Sequence, residues 1–219
     1  MIKIKIHNIE KYYDQGKGKT FTVTLNPGFT CLVGPNGTGK TTMLQQIKYT
    51  LMEERDKESG NRLYEIAHYD NQKDGGSKKF GLWLYQKDGT EKIAEMMSSS
   101  EGEGIIFNLG EFALQCGKAT KTAIERNRNL IILIDGFDSG TSIDKIYQFK
   151  REFVDGIIEH CKSEGIEVYI IATANNYAMV DNIENNNSTD CIVAATGKHR
   201  TFKSYNLFRK FILSNAKEN

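Results

Sequence analysis

The sequence predicts an α/β layered fold, a mainly parallel central sheet flanked by helices, with an antiparallel β portion at the N-terminus. Three observations carry this. Leu130 to Ile134 and Val168 to Ala172 are short, continuous apolar runs of the kind buried on both faces of a parallel sheet. Between and around them lie segments whose apolar residues recur at helical spacing, so strands alternate with helices. The first strands instead alternate apolar with polar residues, as half-buried antiparallel strands do.

In chain order, Ile2, Ile4 and Ile6 alternate with Lys3 and Lys5 and predict a strand; Phe21 to Leu25 and Phe29 to Val33 predict two more. The third runs straight into GPNGTGKTT, Gly34 to Thr42. Met43, Leu44, Ile47 and Leu51 then share a helical face, which predicts a helix of about three turns. Leu63 to Tyr69 and Phe80 to Tyr85 read as strands, the second closed by an Asp88-Gly89 turn. Ile105, Leu109, Phe112 and Cys116 fall on one face of a helix that begins after SSSEGE. Ile143, Ile146, Lys150, Phe153 and Ile157 mark another, with the Lys150 ammonium expected to snorkel out of the stripe. Cys191 to Ala195 and Arg200 to Lys203 are expected to form a hairpin about Gly197, and Tyr205 to Leu213 a closing helix.

The 219 residues, 39% apolar and 26% charged, have the balance of one globular domain spanning 1–219. A formal net charge of +1 provides no global field for nucleic acid or anionic membrane, although six Lys/Arg and a single acid follow from Lys198 onward. No apolar run approaches the roughly eighteen residues of a membrane helix, and the N-terminus is no signal peptide, so a cytoplasmic protein without membrane insertion is expected. Cys31, Cys116, Cys161 and Cys191 are far apart without C-x-x-C pairing, which predicts reduced, buried thiols.

Gly34, Gly39, Lys40 and Thr41 match G-x-x-x-x-G-K-[ST] between a predicted strand and a predicted helix. Glycines allow successive backbone N–H groups to converge on a phosphate, and the helix N-terminus adds partial positive charge. Asn36, Gly37, Thr38 and Gly39 in the loop, with Lys40, Thr41 and Thr42 opening the helix, are therefore the candidate ATP-binding residues. Lys40 would bridge the β- and γ-phosphates, and the Thr41 hydroxyl would ligate Mg²⁺.

This loop resembles the Walker A loop of ATP-binding-cassette (ABC) ATPases, a group that includes transporter motor domains and the heads of SMC and DNA-repair proteins. The upstream stretch is similar to the family's opening, where an aromatic stacks on adenine; Tyr13 would be that aromatic, or an ordinary strand-end tyrosine. SSEGE, Ser99 to Glu103, is similar to the family's signature, in which Ser100 and Gly102 would meet the γ-phosphate held by a second subunit. Ser100 and Glu103 equally form a capping box, and the two readings are compatible. Asp135 would hold Mg²⁺ as the family's Walker B aspartate, SGTSID resembles its D-loop with Asp144 as the acid, and Gln72 in HYDNQ would be its Q-loop glutamine, with Gln86 as a competitor. The resemblance thus implies a P-loop NTPase of ABC type.

Two departures stand out. Gly136 occupies the place where the family carries its glutamate general base, leaving Asp138 as the nearby carboxylate; a turn aspartate is the alternative. After Val168 to Ala172 the chain reads TANN where the family has a histidine, so Asn175 or Asn176 would have to contact the γ-phosphate. The resemblance implies a slow Mg²⁺-ATPase that forms an ATP-dependent head-to-tail homodimer and acts on a partner protein or on DNA, the latter prompted by Lys198, Arg200, Lys203, Arg209 and Lys210. Alternatives are a non-hydrolysing ATP switch and the motor subunit of a transporter. The interval 41–110 is short for a helical subdomain that grips a membrane partner and has no heptads for a long coiled coil.

Overall fold

Five parallel strands form the centre of the fold. The computed structural model describes residues 1–7, 20–71, 101–182 and 187–215. The expected strand at Phe80 to Tyr85 and the candidates Tyr13, Gln72, Gln86 and Ser100 lie outside these residues, as do residues 72–100 of the interval 41–110 expected to hold a reduced helical subdomain.

Strands β1 (Ile2–His7) and β2 (Thr20–Leu25) pair antiparallel as a two-stranded sheet, with Ile2 opposite Leu25 and Ile6 opposite Phe21. The main sheet consists of β3 (Gly28–Val33), β4 (Tyr64–Asp70), β5 (Asn129–Asp135), β6 (Val168–Ala174) and β7 (Thr189–Val193), in the order β4-β5-β6-β3-β7. All its pairings are parallel. The helices are α1 (Lys40–Glu53), α2 (Glu101–Glu125), α3 (Ile143–Gln148), α4 (Asp155–Ser163), a single turn α5 (Tyr177–Val180) and α6 (Tyr205–Ser214).

The pleat distributes each doubly buried strand between two cores. Leu32, Ile131, Leu133, Tyr169 and Ile171 pack against α1 and the β1–β2 sheet, through Met43, Leu44, Ile47, Ile4 and Val23. Val33, Ile132, Ile134, Ile170 and Ala172 face the opposite way, toward α2, the α3–α4 segment and α6. On that second side an aromatic ladder runs from Tyr69 through Phe112, Phe153 and Phe149 to Phe137, with ring centroids 4.2 to 5.9 Å apart. It ties the end of β4 to the residues just after β5.

The helix expected over Ile143 to Ile157 forms, but through a π-helical stretch, Phe149–Val154, between α3 and α4. Lys150 lies in that stretch and does not snorkel. It is 1% exposed, and its Nζ donates to Ala178 O at 3.0 Å and to Asp181 O. Carbonyls at the end of α5 supply the partners that water would have offered, so the cation stays inside; burial pushes its pKa below the ordinary lysine value.

The C-terminal hairpin shrinks to one antiparallel bridge, Ile192 to His199, because the chain then turns to bury Phe202 against Phe208 and Phe211 of α6. All four cysteines are buried and unpaired. Among the described residues no helix is long and apolar enough to cross a membrane.

Candidate functional site

A cavity of about 550 Å³ opens at the carboxyl ends of the parallel strands. Asn36, Gly37, Gly39, Lys40, Thr41 and Thr42 line one side; Asp70 and Asn71 after β4, Asp135, Gly136 and Ser139 after β5, and Thr173 and Asn175 from β6 line the other. Its place follows from topology, since in an open parallel sheet ligands bind outside the carboxyl edge.

The loop between β3 and α1 has a backbone that side-chain-bearing residues adopt at a cost. Gly39, which precedes α1, has φ 86°, and a Cβ on Gly34 would stand 2.6 Å from the Thr38 hydroxyl. That hydroxyl turns inward and donates to Pro35 O at 2.8 Å, so Thr38 braces the loop and its side chain does not line the cavity. Lys40 Nζ donates to Gly34 O at 2.7 Å and Pro35 O at 3.1 Å. With only 8% of the residue exposed, burial lowers the Lys40 pKa, against which the Asp138 and Asp135 carboxylates pull it back up. The ammonium is thus held by two neutral carbonyls next to the cavity.

Thr41 and Asp135, 94 residues apart, meet across the cavity. The Thr41 hydroxyl donates to Asp135 Oδ1 at 3.2 Å, and the Thr173 hydroxyl donates to the same oxygen at 2.8 Å. Thr173 Oγ1 in turn accepts the Gly136 N–H at 2.8 Å. Strand order explains this: β6 lies between β3 and β5, so its last polar residue reaches the aspartate at the end of β5. Thr173 went unread in TANN because its importance depends on that order and on no local pattern.

Gly136 has φ 70°, and a Cβ there would meet Asn71 Cβ at 3.3 Å. A glutamate at this position would need both a left-handed backbone and a retreat of Asn71. Gly136→Ala is therefore expected to lower unfolding free energy by about 1–2 kcal/mol, read from a urea midpoint; an unchanged midpoint would show that the backbone here tolerates a side chain.

Asp138 is no surface turn residue. It is 6% exposed, and its Oδ2 accepts the backbone N–H groups of Asn175 at 2.5 Å and Asn176 at 2.6 Å, while Oδ1 accepts from Asn175 Nδ2 at 3.2 Å. Burial pushes its carboxyl above the ordinary range despite these three donors. It does not line the P-loop cavity; it lines a second one, between this loop and α6. Asn176 is also occupied, its Oδ1 accepting from Ala178 N as the cap of α5. Gly102 lies in the first turn of α2.

Asp70 and Asn71 were missed although HYDNQ drew attention to Gln72. Asp70 ends its strand as Asp135 does, and the two are register partners on neighbouring strands. Among the described residues no group of three or more His, Cys, Asp or Glu could hold a metal ion by itself. Comparison with known families matches residues 3–190 to the model of an AAA domain. No curated protein matches the chain.

Proposed function

We propose that the chain, which belongs to the AAA domain family, is a slow, ABC-type Mg²⁺-ATPase. The observation that carries this reading is the meeting of Thr41 and Asp135 beside a P-loop cavity. A hydroxyl and a carboxylate are the hard oxygen donors Mg²⁺ takes, so the pair fits the ion and would hold it. Thr41 and Asp135 would place its positive charge beside the phosphates, where it would offset the negative charge that develops in phosphoryl transfer.

The chain's own residues do the rest. Lys40 exchanges two neutral carbonyl acceptors for charged phosphate oxygens, a stronger pairing for an ammonium. Backbone N–H groups of the loop converge on the β-phosphate. Thr173 orients Asp135 and fixes the backbone at Gly136 through one hydroxyl. Pairing of two copies head to tail around two ATP molecules, followed by transmission to a protein partner, completes the proposal. It rests on the order of P-loop, signature-like segment and Asp135 along the chain.

A switch that closes on ATP without hydrolysis is the second reading, favoured by the hydrogen-bonded state of Asp138 and the bare Gly136. Phosphate release separates them. The ATPase reading expects wild type to exceed a Lys40→Ala control at least tenfold; equal rates would leave the switch. Sizing with Mg-ATP against Mg-ADP is expected to show a dimer only with ATP, and an unchanged mass would remove the pairing. DNA is a weaker candidate partner, since Arg200, one of its five basic residues, is stacked over Phe202 and Phe211 at 5.4 and 4.5 Å.

A further inference from the structure

We infer that the second cavity, about 570 Å³ between the loop after β5 and α6, is a docking groove for an amphipathic helix of a partner protein, one that carries a carboxylate on its apolar face. This rests on the partner part of the reading above and not on hydrolysis. Five residues of α6 line the groove, Tyr205, Phe208, Arg209, Ile212 and Leu213, and their spacing of i, i+3, i+4, i+7 and i+8 makes them one face of the helix. Ile143 and Tyr177 complete the apolar lining.

Ile143, Tyr205 and Leu213 are 58 to 60% exposed, three of the eight large apolar side chains left exposed among the described residues. Such side chains scattered singly over a surface need no partner, whereas three that converge on one groove mark an interaction site. The aromatic part of the lining is already ordered. The Tyr177 ring lies 5.8 Å from that of Phe208 and 6.0 Å from that of Tyr205, so an occupant loses little in arranging them. No strand residue lines the groove, which leaves an extended peptide no sheet edge to join, while a helical face of about three turns fits another helix.

Charge decides the chemistry of that helix. α6 has two cations, Arg209 and Lys210, and no acid, and Arg209 is the midpoint of the groove-lining face. Among the described residues its guanidinium takes part in no hydrogen bond or ion pair. The acid in the lining, Asp138, is buried and already accepts three donors from Asn175 and Asn176. A carboxylate on the incoming helix therefore meets an unengaged fork of donors, beside tyrosines, and Arg and Tyr are the side chains that dominate binding at interfaces. The same charge disfavours a second copy, since two α6 faces laid antiparallel would set Arg209 against Arg209. Ser139 and Asn175 line both this groove and the P-loop cavity, so the occupant rests on the wall the two share.

The test uses the full chain and a synthetic, fluorescein-labelled helix of about four turns, with leucines at i, i+3, i+4 and i+7 and one glutamate among them. Anisotropy is expected to show saturable binding. It should weaken about tenfold when lysine replaces the peptide glutamate, or in Arg209→Glu, and recover when the two changes are combined. Leu213→Asn should weaken it about tenfold as well. Both side chains are exposed, so thermal melts of the two variants should match wild type. No saturable binding of the glutamate helix overturns the proposal. Equal binding of the glutamate and lysine helices, or binding untouched by Arg209→Glu, overturns it too, because apolar adhesion alone would then be at work. A wild type that self-associates without nucleotide and turns monomeric in Leu213→Asn overturns it in favour of a second copy, and duplex DNA that displaces the bound helix overturns it in favour of DNA. Calorimetry with Mg-ATP on the same samples keeps the readings apart: a wild type that takes up the helix but no nucleotide removes the ATPase reading and leaves the groove, and the reverse result removes the groove alone.

Discussion

Replacing Lys40 with alanine is expected to weaken Mg-ATP binding by about a hundredfold while the fold persists. Hydrogen bonds to charged groups contribute roughly 1.5–3 kcal/mol each, and two phosphate oxygens lost to one ammonium amount to about 3 kcal/mol, or a little over two powers of ten. In the free protein the same ammonium donates, among the described residues, to Gly34 O and Pro35 O, beside the cavity. Burial already disfavours its charge there. Removing it therefore costs the free protein little, and the urea midpoint should hardly move. Lys40→Arg is expected to rescue poorly, because a planar fork does not fit a cradle shaped for a compact point charge. Calorimetry with both variants checks this; an alanine variant that binds within threefold of wild type would show that the lysine does not reach the phosphates.

Asp138→Ala is expected to remove about 3 kcal/mol of unfolding free energy, through loss of acceptors for two backbone N–H groups and one amide in a mostly buried place. Asp138→Asn should cost less, since its one carbonyl oxygen replaces Oδ2 for the two backbone donors, and Asn175 turns its own oxygen toward the new amide. Both variants should keep phosphate release within a few-fold of wild type at temperatures where they remain folded. A general base would behave in the opposite way, with stability intact and turnover down by two to four powers of ten. Thermal melts and phosphate release on the same samples separate the two roles.

What the sequence disclosed was local. The P-loop reads from nine consecutive residues, and the strands that end in the loop and in Asp135 read from unbroken apolar runs. The alternation in β1 likewise survives in the fold as buried Ile2, Ile4 and Ile6. What escaped was set by pairing between distant segments. Asp70 lines the cavity because β4 lies beside β5 in a register that aligns their final aspartates, and periodicity within either strand says nothing of that register. Asp138 has the composition of a turn, and only the approach of Asn175 and Asn176 from the end of β6 makes it an anchor. Lys150 followed the ordinary rule for a lysine in an apolar stripe until carbonyls of α5 offered it partners indoors. Gly136 looked like a missing base; its left-handed backbone against Asn71 makes it a position that favours no side chain at all.

The claim beneath all of this is that the cavity between the P-loop and the carboxyl ends of β4, β5 and β6 is a site for Mg-ATP. Calorimetric titration of the wild-type chain with Mg-ATP tests it directly. The account predicts saturable heat with one nucleotide per chain, lost when Mg²⁺ is chelated and weakened about a hundredfold by Lys40→Ala. No heat with any nucleoside triphosphate, at protein concentrations where the fold is intact, would contradict it.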